Sequence, residues 1–402
     1  MSGWRHQVPV RSPLSATALL AGLQAAAGNG AGLRGKTQLL ALIKERYAPR
    51  AALLTDSGTS ALTAALRGVQ RNGRAVPVAL PAYTCYDVAT AADGADVPVL
   101  LYDVDLLTLA PDLSQVEVAL RRGAGAIVVV HPYGYPVDVA EVNRLAAATG
   151  AMVIEDAAQA AGGMLNDHPA GTQGSLAVLS FGRGKGLTGG SGGALLARDA
   201  AGELVLERVR GLLGASRRGW SQLLAMSAQF VLEHPNLYAL PASLPFLRLG
   251  QTIYRAPRPM RAPTSVCCPV VAATWGLAER EVEMRRVNAE RLLLELRGQP
   301  GFETIRSDRQ ARPGYLRLPV LTSSGVRRSA TEPAARRLGV MPGYPKPLSD
   351  LERFGPRCLN RDARFPGARL LAARLCTLPT HGRLEIGDLR RLEQWIRAVG
   401  RR

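Results

Sequence analysis

Lysine is scarce in this chain. Lys36, Lys44, Lys185 and Lys346 are the only four among 50 lysines and arginines, so arginine holds nearly every position where any positive charge would serve. Aromatic residues are also few, at 5%, and the basic residues are scattered without an interleaved aromatic ladder, which argues against a base-stacking surface for nucleic acid. The five cysteines, Cys85, Cys267, Cys268, Cys358 and Cys376, are odd in number and form no CxxC pair. A disulfide framework or zinc site is therefore not expected, no metal is assigned, and a reducing, cytoplasmic compartment fits best. The start, MSGWRHQVPVRSPLS, has no basic segment leading into an apolar one, so no export signal is expected. No apolar run reaches the ~18 residues of a bilayer span.

What is present is the composition of a globular protein: 402 residues, 47% hydrophobic and 20% charged. The length suits two units. We divide it into a large unit over 1–254, with an N-terminal arm and an apolar insertion near 201–254, and a smaller α+β unit over 255–402. From Val76 onward short apolar runs (VPVAL, VPVLLYDVD, AIVVV, AMVIED) alternate with helical patterns. Runs without clean polar alternation imply burial on both faces, hence an α/β fold with a mostly parallel central sheet flanked by helices. Within the insertion, residues 223–254 are apolar for a connecting segment, and Pro235, Pro241 and Pro245 forbid a long helix there. A subunit or domain contact, a substrate cover and a peripheral membrane contact all stay open, and the net charge of +18 suits a phosphate-bearing ligand or an anionic membrane as well as a solvated surface.

In open parallel sheets ligands gather beyond the carboxyl ends of the strands. Pro81 to Tyr86, His131 to Tyr133, Asp156 and the Lys185 loop fall there. DSGTSAL, at 56–62, joins an apolar run directly to an alanine-rich helix, so Ser57, Gly58 and Thr59 read either as a phosphate cup or as an ordinary N-cap. Asp156 closes AMVIED as a helix cap or as a carboxylate that meets a single ligand together with the amine of Lys185. The glycine-crowded loop SFGRGKGLTGGSGG, from Ser180, holds Lys185, whose amine alone among basic side chains can form a Schiff base with an aldehyde.

These segments together resemble the DegT/DnrJ/EryC1/StrS family of sugar aminotransferases, which use pyridoxal 5′-phosphate (PLP) on the aspartate-aminotransferase-like, type I fold. The resemblance rests on DSGTSAL, PAYTC with GADVPVLLYDVD, VVVVHPYGYPVD, VIEDAAQAAGG, SFGRGKGLTGGSGG and GARLLAARLCTLPTH, in that order. It implies that Lys185 bonds the cofactor aldehyde and carries the proton, that Asp156 pairs with the pyridine nitrogen, and that Gln159 lies near the 3′-oxygen. It places Ser57, Gly58, Thr59 and Ser180 at the phosphate. Cys85 stands where the family has an aromatic ring over the pyridine, so stacking passes to the next residue, Tyr86. His131 and Tyr133 would lie near the substrate. The resemblance further implies a homodimer that aminates a keto group on a nucleotide-linked sugar, with glutamate or glutamine as donor. A cyclitol, an aminobenzoate precursor or a lipid-linked sugar is the alternative acceptor, and a catalytically silent regulatory member is the alternative to an enzyme.

Overall fold

The computed structural model describes residues 5–28, 30–70, 75–247, 249–250 and 252–400. Seven strands form the main sheet: β1 (Ala51–Thr55), β2 (Val78–Pro81), β3 (Val99–Tyr102), β4 (Ala126–Val130), β5 (Met152–Asp156), β6 (Leu176–Ser180) and β7 (Gly193–Ala197). Their spatial order is β1-β7-β6-β5-β4-β2-β3. The pairings from β3 through β6 are parallel, whereas β7 runs antiparallel to both β6 and β1. The mostly parallel sheet expected from the sequence is thus present, with one reversed strand inside it.

Side chains alternate between two buried faces, as a period of two requires. Val128, Ile154, Val178 and Leu195 point into one core with the helices Gly58–Gly68 and Tyr86–Ala95. Ile127, Val129 and Val153 point the other way, onto the helices Leu113–Arg121 and Ala140–Thr149. On that same side, Ala177, Leu179, Ala194 and Leu196 meet the helix Ala31–Tyr47 and the start of the long helix Cys267–Leu296. Apolar residues on both faces are why these strands lack a polar alternation in sequence.

The C-terminal part carries an antiparallel sheet of Phe302–Thr304, Leu318–Thr322, Leu375–Leu378 and Met341–Pro342, closed by the helix Ile386–Gly400. The N-terminal arm, grouped by chain order with the first unit, packs here instead. Arg5 pairs with Asp388 at 2.9 Å, the Gln7 N–H donates to Arg337 O at 2.8 Å, and His381 Nε2 donates to Val8 O at 2.9 Å. The insertion folds as the helix Trp220–Leu232 followed by two helical turns, Ala239–Ala242 and Pro245–Leu247, so the prolines do end the helix. Among the described residues no helix is long and apolar enough to cross a membrane.

Candidate active site

β5 and β6 are parallel neighbours, with Asp156 opposite Val178. Asp156 therefore ends one strand beside the loop that follows the other, and Lys185 lies on that loop. Both side chains line one cavity, together with Gly58, Thr59, Cys85 and Ser180. Twenty-nine residues separate the two groups in sequence; the crossover removes that distance.

Asp156 is buried. Its Oδ1 accepts the Ala158 N–H at 3.0 Å, and no protein donor reaches the other oxygen among the described residues. Burial pushes its pKa up, against the pull of that N–H, Lys185 and His131. A carboxylate in that state gains from a cationic partner placed against the free oxygen.

The floor of the cavity is the start of the helix Gly58–Gly68. The first N–H groups of a helix have no acceptor within it; Ser57 bridges to Gly192 just before this one, and no acceptor for the Thr59 N–H is found among the described residues. Ser180 Oγ stands beside them. A Cβ on Gly58 would lie 2.7 Å from Ser180 Cβ and 2.9 Å from its Oγ, so only glycine lets the helix end and the hydroxyl share this corner. The result is an anion cup. Ser57 does not contribute its hydroxyl, as the sequence had suggested. That hydroxyl accepts the Ser60 N–H and donates to Ser60 Oγ, both at 3.0 Å, and is spent on capping the helix.

The lysine loop is held at both ends. Phe181 and Gly192 join across its base at 2.8 Å, and the Gly189 N–H donates to Phe181 O at 2.8 Å. The Gly184 N–H donates to Ser12 Oγ at 3.0 Å, so the N-terminal arm reaches the loop one residue before Lys185. Gly192 has φ +111°, and a Cβ there would sit 2.3 Å from Cys267 Sγ.

Several sequence expectations land elsewhere. Tyr86 does not line the cavity; Cys85 does. The side chain of Tyr86, first residue of its helix, turns to the small-unit loop, where its hydroxyl accepts the Lys346 N–H at 2.9 Å and donates to Lys346 O at 3.1 Å. Burial, then Asp87, pushes the Cys85 thiol up to about 12, so it meets the cavity as a neutral, apolar surface. His131 also faces away. Val137 N–H donates to its Nδ1 at 3.0 Å, which leaves the proton on Nε2 to donate to Glu155 Oε2 at 2.8 Å. Glu155 further accepts N–H groups from Gly171, Gln173 and Gly174 at 2.9, 2.6 and 2.5 Å. Burial alone would raise its pKa, but these bonds and His131 outweigh it and hold the carboxyl below the usual range. His131 thus fixes the β5–β6 connection behind Asp156.

Gln159 lines the cavity with its amide committed at both ends. Its Oε1 accepts the Tyr133 N–H and its Nε2 donates to Tyr344 Oη, both at 2.9 Å. Tyr133 has φ +56°, uncommon for a bulky residue, and its ring stacks on Tyr344 at 5.6 Å and 21°. It lines a neighbouring cavity with Tyr83 rather than the one holding Lys185. Tyr344 was missed in the sequence. Tyr83 Oη accepts its backbone N–H at 3.0 Å and the two rings lie 5.3 Å apart, so Tyr83, Tyr133 and Gln159 all hold this residue. No sequence signal marked it, since these partners lie far off in the chain.

Comparison with known proteins bears on the family. Residues 37–229, just under half of the chain, match the model of the DegT/DnrJ/EryC1/StrS aminotransferase family, and that stretch is similar to it. It is 36% identical over 146 residues to the L-glutamine:2-deoxy-scyllo-inosose aminotransferase of Streptomyces kanamyceticus, covering 36% of this chain and 34% of that protein. It is 35% identical over 155 residues to the UDP-N-acetyl-3-dehydro-alpha-D-glucosamine 3-aminotransferase of Acidithiobacillus ferrooxidans, covering 38% of this chain and 42% of that protein. The match thus spans about a third to two-fifths of each relative's length. The fold is shared along the whole chain: the aminotransferase TlmJ of Streptoalloteichus hindustanus superposes with a TM-score of 0.77 at 23% identity, over 98% of each chain. The fold is thus the type I fold of PLP-dependent transferases.

PLP is the cofactor of this family, and the cavity fits it. The cup at Gly58, Thr59 and Ser180 suits the phosphate, the free Asp156 oxygen suits a protonated ring nitrogen, and Lys185 supplies the amine for the aldehyde.

Proposed function

We propose that the protein is a PLP-dependent aminotransferase that converts the keto group of a nucleotide-linked sugar to an amine, with glutamate or glutamine as donor. The observation that carries this reading is the opening of Asp156 and Lys185 into one cavity that also holds the helix N-terminus at Gly58 and Thr59. Bound there, PLP supplies an aldehyde that takes up the amino group and a ring that accepts the electrons left when the donor's Cα–H bond breaks. The protein's residues do the rest. Lys185 Nζ would take the proton from that Cα and pass it on to the cofactor's former aldehyde carbon, Asp156 would hold a proton on the ring nitrogen, and the cup would anchor the phosphate. A cyclitol is the second acceptor class, favoured by the match to the inosose aminotransferase. We place the enzyme in the cytoplasm as a homodimer.

Borohydride treatment of the PLP-loaded protein should fix the cofactor's mass onto the peptide holding Lys185, and Lys185→Ala should take no label. Label on Lys36, Lys44 or Lys346 instead would overturn the assignment. The amino donor is then read from which of glutamate and glutamine supports amine formation on a panel of nucleotide-ketosugars and inososes.

A further inference from the structure

The outer edge of the 220–249 insertion is apolar and uncovered. Leu240 is 62% exposed, and Phe246, at 73%, is the most exposed large hydrophobic among the described residues. Leu244, Leu247 and Leu249 are exposed beside them. They lie on and beside two short helical turns, Ala239–Ala242 and Pro245–Leu247.

Leu249 also lines a cavity, together with Tyr238, Arg327 and Arg336. Among the described residues no carboxylate lines it. Arg327 donates only to carbonyl oxygens and a thiol, those of Leu375 at 2.9 Å, Ala372 at 3.2 Å and Cys376 Sγ at 3.4 Å, which leaves its charge uncompensated. Arg336 is exposed and has no side-chain acceptor among the described residues. An apolar rim outside and two uncompensated cations inside complement an amphiphile with an anionic head.

We propose that this face docks on an anionic phospholipid surface, with Phe246 and its neighbouring leucines in the acyl boundary and a lipid phosphate in the cavity between Arg327 and Arg336. Docking of this kind lies on the bilayer, and no helix among the described residues is long and apolar enough to span one. The net charge of +18 adds attraction to such a surface. A second copy of the chain is the poorer occupant. A two-fold contact through this edge would set one cationic face against an identical one, with no acid among the described lining residues to offset it. The inference goes beyond transamination and does not depend on it.

The test is flotation of the full chain with vesicles of phosphatidylcholine and phosphatidylglycerol, against vesicles of phosphatidylcholine alone. The protein should rise with the anionic vesicles only, and less so in high salt. Phe246→Ser should weaken the partition by about tenfold or more, the worth of burying one large apolar side chain. Arg336→Gln should weaken it by about fivefold, the worth of one cation near the surface. Both side chains are exposed, and unchanged thermal unfolding confirms that each variant folds. Failure to float with anionic vesicles overturns the proposal, as does equal flotation of wild type and Phe246→Ser. So does a wild type that stays with neither vesicle and sediments as a dimer which Phe246→Ser converts to a monomer, since the edge then belongs to a second copy.

Discussion

Replacing Glu233 with glutamine tests how much stability this fold gives up to hold one buried carboxylate. Glu233 follows the helix Trp220–Leu232 and is only 9% exposed. Burial pushes its pKa from the ordinary 4.5 up to about 7, against the Gln229 amide that donates to it, the Arg383 and Arg11 charges and the Ser12 N–H. The carboxyl is thus protonated in the folded state where the unfolded chain has already lost its proton. A folded-state pKa above the unfolded one gives stability that is complete below about pH 4.5 and is lost as the pH rises to about 7. At about 1.4 kcal/mol per unit, the loss comes to about 3 kcal/mol. Glutamine keeps the shape and can still accept from Gln229, but it does not ionise. Urea unfolding of Glu233→Gln should therefore match wild type near pH 4.5 and exceed it by up to about 3 kcal/mol above neutrality. Equal stabilities at both ends would show that the ionised carboxylate carries no penalty, and the reasoning from burial would fail.

Two further changes bear on the active site. Gly58→Ala drives a methyl group into Ser180, and the crowding should cost about 1–3 kcal/mol in urea unfolding while weakening PLP binding in an absorbance titration. Tyr344→Phe keeps the stacked rings and the backbone bond to Tyr83 but leaves the Gln159 amide without its acceptor. Thermal unfolding should show about 1–3 kcal/mol of lost stability.

The cavity itself was readable because its parts sit at strand ends. Asp156 and the Lys185 loop follow successive parallel strands, and a parallel sheet delivers both to the same edge whatever the length between them. What could not be read was which neighbour faces that edge. Glu155 precedes Asp156 by one residue, so the pleat turns it away from the ligand side and toward His131; adjacency in sequence hides that opposition. Tyr86 failed for a related reason, because the start of its helix carries it toward the small unit and leaves Cys85 at the cavity. Tyr344 lies between prolines in a stretch that shows only an exposed Lys346, and its value comes wholly from partners more than 180 residues away. The sheet followed from local patterns; the contacts between units did not, since no local pattern encodes them.

The bond from Gly184 to Ser12 crosses 172 residues. The arm that provides it is anchored along its length to the far unit through Arg5, Gln7, Val8 and, by way of Glu281, Arg11. The loop that carries Lys185 is therefore tethered by an arm whose bonds at these positions run to residues 281–388, so the amino end and the C-terminal stretch meet at the edge of the cavity.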